Sequence, residues 1–288
     1  TDRFAILCQL SYRGRSFISY YSGEQETSTL CYNSPMQQTA LITGASSGIG
    51  KAFDKLCAMQ GWDVVLVSRN EDKLRTVAQS LNVQCTIMPC DLSKPGSPAA
   101  LCKELENSGV QVGILINCAG FGSHGPFASL DLEKELNMID LNVRAVIALT
   151  GLLLPKMIER GSGRILNVAS TAAFEPGPFM ATYFASKAAV LSFSEALWAE
   201  TRGTGVSVTC LCPGPTNTKF DERADLENSE LFSKKLASPE VVALIGMRAL
   251  LAGKRIQIVG FKNQCMVLLA KILPRRLVLA GSTVLLKQ

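Results

Sequence analysis

The stretch Thr39-Ala40-Leu41-Ile42-Thr43-Gly44-Ala45-Ser46-Ser47-Gly48-Ile49-Gly50 decides how the chain is read. Its first five residues form a short β-strand pattern, and the glycine-rich turn that follows opens a helical pattern at Ile49 to Gln60. Glycines in such a turn let the backbone bend sharply and approach a pyrophosphate, whose charge is met by amides at the helix N-terminus. Gly44, Ser46, Ser47, Gly48, Ile49 and Gly50 are the candidate phosphate-side residues. Two other glycine motifs compete. A Walker A loop fails twice, since Ala45 holds the first glycine position and Ala52 follows Lys51. Gly44 to Gly48 also fits G-x-S-x-G, the elbow of a serine hydrolase with Ser46 as nucleophile, but that chemistry needs a base histidine and the chain has only His124.

From this turn outward, short β-branched runs alternate with longer helical patterns. Thr39 to Thr43, Asp63 to Ser68, Gln84 to Met88, Val112 to Asn117, Gly163 to Val168, Val206 to Leu211 and Ile256 to Val259 read as strands. The clearest helices after the first are Leu130 to Glu159, Ala181 to Arg202 and Pro239 to Ala252. Near-continuous apolar strands such as VVLV and ILIN predict a parallel sheet covered on both faces. The expected architecture is a doubly wound, Rossmann-type α/β sheet of about seven strands. No repeat or linker divides residues 36–260, which form one catalytic domain in this reading.

Composition agrees with a packed chain: 47% of the 288 residues are hydrophobic and 18% charged, which excludes disordered and collagen-like architectures. A net charge of +5 is too mild to argue for nucleic acid. One histidine cannot build a His-rich metal centre or a multi-histidine acid/base site, and no metal is expected. The ten cysteines include no CxxC pair and read as free thiols of a reducing, cytoplasmic compartment.

At the end of the second strand stand Ser68 and Arg69. A carboxylate there binds a ribose 2′-hydroxyl and repels a 2′-phosphate, whereas serine and arginine suit the phosphate. NADP(H) is therefore expected over NAD. Tyr183 and Lys187, four apart where a helical pattern begins, share one face. A free tyrosine with a pKa near 10 is a poor base at neutral pH. A neighbouring ammonium and a positively charged nicotinamide ring are expected to lower it. Ser170, after the strand ending in Asn167-Val168, can hold a substrate oxygen beside the tyrosine.

Taken in order, TGASSGIG, Asp91, Asn117-Cys118-Ala119-Gly120, Asn142, Ser170, Tyr183-Phe-Ala-Ser-Lys187 and Pro213-Gly214-Pro215-Thr216-Asn217-Thr218 resemble the short-chain dehydrogenase/reductase family over about residues 38–260. Cys118 departs from that pattern, which often has a second asparagine or similar residue there. The resemblance implies a catalytic set of Asn142, Ser170, Tyr183 and Lys187. Tyr183 would exchange the proton, Lys187 would hold the nicotinamide ribose, and Asn142 would hold a water linking Lys187 to solvent. It further implies that Asp91 and Leu92 meet the adenine end, that Asn117, Ala119 and Gly120 shape the floor beneath the ribose, and that Pro213, Gly214, Thr216 and Thr218 hold the nicotinamide and diphosphate. A noncatalytic dinucleotide-binding regulator on the same fold is the alternative. The substrate reads as an apolar, lipid-like carbonyl or alcohol, because Phe121, Phe127, Phe174, Phe179, Met180 and Phe220 flank these motifs. His124 is expected in a loop. Family members commonly assemble as homodimers or homotetramers.

The two ends differ from the middle. Residues 1–35 lack hydrophobic periodicity, and three arginines balance three acids, Asp2, Glu24 and Glu26. This leader reads as a transit segment, an added tail or translated upstream sequence, outside the fold. From Lys254 to Gln288 there are seven Lys or Arg and no acid, so the rest of the chain carries −2. The apolar stretches of the tail over 261–288 are interrupted by Lys271 and Pro274-Arg275-Arg276, and no run of 18 apolar residues is present for a membrane span. Three uses of the tail stand open: a wall of the substrate pocket, a subunit interface, or peripheral contact with an anionic membrane.

Overall fold

The computed structural model describes residues 38–218 and 236–287, with the backbone of three short strands between residues 7 and 31. Those strands, β1 (Leu7–Tyr12), β2 (Arg15–Tyr20) and β3 (Leu30–Cys31), pair antiparallel within a separate unit of residues 1–37. The leader set outside the fold by its lack of periodicity thus has backbone pairing of its own. Inter-strand hydrogen bonds need no apolar stripe, so the pattern does not reveal them.

Residues 38–288 form the second unit. It holds β4 (Thr39–Thr43), α1 (Gly48–Met59), β5 (Asp63–Ser68), α2 (Glu71–Gln79), β6 (Cys85–Pro89), α3 (Ser97–Asn107) and β7 (Val112–Asn117). After these come α4 (Leu132–Ile139), α5 (Ala145–Glu159), β8 (Gly163–Val168), α6 (Ala181–Glu200), β9 (Val206–Cys212), α7 (Pro239–Leu251) and β10 (Ile256–Ile258). Two further helices close the chain, α8 (Phe261–Ile272) and α9 (Arg275–Leu286). The seven strands lie in the order β10-β9-β8-β7-β4-β5-β6, and every pair is parallel. This is the doubly wound, Rossmann-type sheet. The chain reverses direction across the sheet between β4 and β7, which opens a crevice at their carboxyl ends.

The strands are apolar throughout because alternate residues meet different layers. Ala40, Ile42, Val64, Leu66, Ile114 and Ile116 pack with Phe53 and Cys57 of α1 and with Val242, Met247 and Leu250 of α7. Leu41, Val65, Val67, Leu115 and Ile165 pack on the other face with Leu101 and Leu105 of α3 and Leu149, Leu153 and Met157 of α5. The stretch Leu132–Glu159 is long and apolar enough to cross a membrane by length and composition. Here it supplies much of that second layer.

Local signals set the helix starts. The Asn70 side chain accepts from Lys73 N at 2.9 Å to cap α2, and the Ser238 side chain accepts from Val241 N ahead of Pro239 to start α7. Asp131 caps α4 in the same way, so the long helix begins at Leu132 and not at Leu130. It is also not one uniform helix: a π-helical turn over Asp140–Arg144 separates α4 from α5.

Phe53 is fully buried at the contact of α1 with α7, close enough to Gly246 that a β-carbon there would lie 2.8 Å from the ring. Phe53→Ala is expected to cost about 3–5 kcal/mol of stability, measured by urea denaturation, because this close contact leaves little room for collapse.

Candidate active site

A cleft of about 1140 Å³ lies at the carboxyl end of the sheet. Its floor begins with the glycine turn. Gly44 and Gly48 have φ of +73° and +55°, a left-handed backbone that side chains disfavour. A β-carbon on Gly50 would lie 2.3 Å from the Gly44 carbonyl oxygen, so the turn closes only without one. The Thr43 hydroxyl accepts the amides of Cys118 and Ala119 at 2.9 and 3.0 Å, clamping the end of β4 to the end of β7. Gly44, Ser46, Ser47, Gly48, Ile49 and Gly50 all line the cleft at the start of α1.

Ser68 and Arg69 line it from the end of β5, with Asn70 and Lys73 beside them. The Ser68 hydroxyl is buried without a hydrogen-bond partner. Asp91 and Leu92 line the cleft after β6. Burial alone would raise the Asp91 carboxyl, but hydrogen bonds from the Ser93 hydroxyl and amide and the charges of Arg69 and Lys94 hold it below the ordinary value.

The other half of the cleft holds the catalytic candidates. Ser170 follows β8, where its hydroxyl accepts from Ala172 N at 3.1 Å and is hydrogen-bonded to Tyr183. The Lys187 ammonium donates to the Val168 carbonyl at 3.0 Å and lies 5.7 Å from the Tyr183 ring centre. Ala119, Gly120, Pro213, Gly214, Thr216 and Thr218 complete the lining. The expected lowering of the tyrosine is not supplied by these residues. Burial pushes the Tyr183 phenol up to about 12, only partly offset by the Ser170 hydrogen bond. Burial likewise lowers Lys187, while the thiols of Cys118, Cys210 and Cys212 nearby oppose that shift.

Two candidates do not line the cleft. Asn117 turns its side chain into the core, donating to Asn167 Oδ1 at 2.9 Å and Thr150 Oγ1 at 3.3 Å, and so ties β7 to β8. Asn142 sits in the π-helical turn behind Gly120. Its Nδ2 donates to the Phe121 carbonyl at 2.9 Å and to the Ser186 hydroxyl at 3.1 Å, and its Oδ1 accepts from Phe121 N at 3.1 Å. Its amide is thus engaged by backbone and Ser186. A π-turn shifts the helical register by one residue, which lets Asn142 face the loop.

Of the aromatic flank, Phe121 and Met180 line the cleft. Phe127 is exposed, Phe179 packs in a small cluster with Met180 and Phe184, and Phe174 lies beneath the Lys271 ammonium at 5.2 Å. Phe220, with the segment that follows Thr218, lies outside the described residues. His124 donates from Nε2 to the Leu286 carbonyl at 2.9 Å and does not line the cleft with Ser46, so the hydrolase reading lacks its base.

The sequence reading misses Glu175 and does not settle which use the tail serves. Asn263, Met266, Ser282, Leu285 and Leu286 of α8 and α9 form a wall of the cleft. The Ser282 hydroxyl donates to Glu175 Oε2 at 3.4 Å, and burial raises the Glu175 carboxyl above its ordinary value while that bond opposes the shift.

Comparison with known proteins places these features. Residues 38–229 match the family described as short chain dehydrogenase. An uncharacterized oxidoreductase of Staphylococcus epidermidis is 34% identical over 209 residues, 72% of this chain and 91% of its own. The mouse (Mus musculus) 17-beta-hydroxysteroid dehydrogenase type 3 is 38% identical over 192 residues, and the chain spans 61% of its length. Among solved structures, a short-chain dehydrogenase from Sphingobium yanoikuyae in complex with NADPH superposes with a TM-score of 0.73 at 28% identity, covering 85% of this chain and 95% of that one.

Asn142→Leu keeps the branched outline of the side chain but removes the partner of the half-buried Phe121 amide and carbonyl. A loss of about 1–3 kcal/mol is expected, the scale for leaving a buried polar group unpaired. Paired denaturation curves of variant and wild type measure it.

Proposed function

The chain belongs to the short-chain dehydrogenase family and is an oxidoreductase, and from that membership we propose that it transfers a hydride between NADP(H) and the carbonyl or alcohol carbon of an apolar, lipid-like substrate, with Tyr183 as general acid and base. The observation that carries the reading is the convergence of Ser170, Tyr183 and Lys187 on one wall of the cleft, with the tyrosine phenol hydrogen-bonded to the serine.

The residues present fit a dinucleotide. The glycine turn is a cradle that β-carbons would fill, and the Ser68 hydroxyl is an orphaned polar group. In this reading the α1 N-terminus and residues 44–50 hold the diphosphate, and Ser68 and Arg69, with Lys73 nearby, hold the 2′-phosphate. Asp91 and Leu92 hold the adenine end; Ala119, Gly120, Lys187, Pro213, Gly214, Thr216 and Thr218 hold the nicotinamide half. The bound nicotinamide supplies the hydride chemistry. Ser170 orients the substrate oxygen. For reduction Tyr183 donates its proton to that oxygen, and for oxidation it takes the proton back.

Asn142 enters this reading as a positioning residue, because its amide holds the Phe121 loop against α6. Phe121, Met180, Phe184, Met266, Leu285 and Leu286 favour an apolar substrate. Exposed Leu132, Ile147, Leu152 and Ile158 along α4 and α5 support assembly into a homodimer or homotetramer through those helices.

Tyr183→Phe is expected to retain cofactor binding and lose turnover by 10²- to 10⁴-fold, followed by NADPH absorbance with aldehydes, ketones, steroids and retinoids. Retention of more than about a tenth of the activity overturns the acid/base assignment, against that same scale.

The tyrosine also has a pH signature. A phenol raised to about 12 in the folded protein contributes stability below the free-tyrosine value near 10, and loses that contribution as pH rises from there to about 12. Difference absorbance of wild type minus Tyr183→Phe is expected to show this ionisation moving down when NADP⁺ is added, because a cation beside the phenol favours the phenolate. NADPH, which lacks that ring charge, should leave it high.

Arg69→Asp is expected to weaken NADPH strongly and NADH little, as measured by fluorescence titration, since a charge-assisted contact becomes a repulsion. Equal losses for both cofactors would make Arg69 structural.

A further inference from the structure

Helices α8 and α9 each present two apolar stripes, and the fold accounts for only one. On α8 the inward side carries Asn263, Met266, Val267 and Ala270, which are buried or half-buried. Opposite them Phe261, Cys265, Leu268, Leu269 and Ile272 recur at i, i+4, i+7, i+8 and i+11, all exposed, Phe261 to 78% and Ile272 to 71%. On α9 the inward stripe is Val278, Ser282 and Leu286. The outward one is Leu277, Ala280, Gly281 and Val284, with Val284 79% exposed. An exposed apolar stripe rimmed by polar and charged residues marks an interaction surface.

The charges around this surface select the cover. Lys262, Lys271, Arg275, Arg276 and Lys287 are all exposed, and no acid stands between Lys254 and Gln288. A second copy docked through the same face would bring like charges together. An anionic lipid surface meets both the apolar stripe and its basic flanks. Each helix has 12 residues. At ~1.5 Å per residue that is about 18 Å, too short to span roughly 30 Å of hydrocarbon, so the pair lies flat on the surface rather than crossing it.

We propose that α8 and α9 dock the protein on an anionic membrane surface, with Phe261, Leu268, Leu269, Ile272, Leu277 and Val284 entering the headgroup boundary. Met266, Leu285 and Leu286 of the same helices line the cleft. The docked surface therefore stands about one helix diameter, ~10 Å, from the substrate half of the site. The proposal does not rest on the reaction assigned above, and its test needs no turnover.

The full chain is sedimented with vesicles of phosphatidylcholine alone and with vesicles containing phosphatidylserine, at low and high salt. Binding is expected to the serine-lipid vesicles at low salt, with release at high salt. Arg275→Gln with Arg276→Gln is expected to weaken partitioning about 25-fold, near fivefold for each basic residue. Leu268→Ser with Ile272→Ser should abolish it, and thermal melting of both variants at the wild-type temperature shows that the fold is kept. Absence of binding at low salt overturns the proposal. So does equal binding to both vesicle types with no effect of the arginine changes. A dimer in sedimentation equilibrium that the Leu268 and Ile272 changes dissociate assigns the face to a second copy instead.

Discussion

The site depends on how closely two strand ends approach each other. Thr43 accepts two amides from the end of β7, and a β-carbon on Gly44 would lie 3.1 Å from Ala119. With the Gly44 carbonyl pressed against Gly50, the turn has no room for a side chain at either glycine. The start of α1 is thereby pinned at the point where the sheet changes direction, and residues 46–50 line the cleft there. The other groups of the site are placed relative to that clamp: Ser170 after the neighbouring β8, Lys187 from α6 through its bond to the Val168 carbonyl of β8, Arg69 and Asp91 after β5 and β6.

In the proposed reading, the wall that carries Ser170, Tyr183 and Lys187 meets two opposing demands. It must be dry for its hydrogen bonds to be strong, and dryness pushes Tyr183 away from the ionised form. The lysine that would favour the phenolate is itself weakened by burial. In the reading given above, the positive charge needed beside the phenol therefore comes with the oxidised cofactor. Acid/base competence would then be coupled to cofactor state, and the tyrosine would stay protonated when no oxidised ring is present.

Much of this was legible in the sequence because strands buried on both faces are apolar throughout and glycine turns leave a fixed spacing. The boundaries of β4, β5, β7 and β8 follow from pattern alone. Other features left no such trace. Asp54 lies wholly buried on α1 beside Cys57, its carboxyl held well above the ordinary value by burial, although an acid in a helix normally reads as an outer position. The π-helical turn at Asn142 depends on tertiary bonds to Phe121 and Ser186, which no local propensity encodes. Asn117 sits inside an otherwise matching motif, yet its side chain serves the Asn167 and Thr150 bonds of the core. The tail helices were hidden for another reason: apolar residues on both faces blur the single stripe by which an amphipathic helix is recognised.

The wall formed by α8 and α9 differs in kind from the rest of the cleft. It is held by the buried Val267, Val278 and Leu286 and by side-chain contacts of His124, Ser282, Asn263, Gln264 and Lys271, whereas the opposite side of the cleft is built from strand ends of the central sheet. Opening such a wall costs a fraction of the global unfolding free energy. Substitutions in this layer can then reshape that side of the cleft without drawing on the packing of the central sheet.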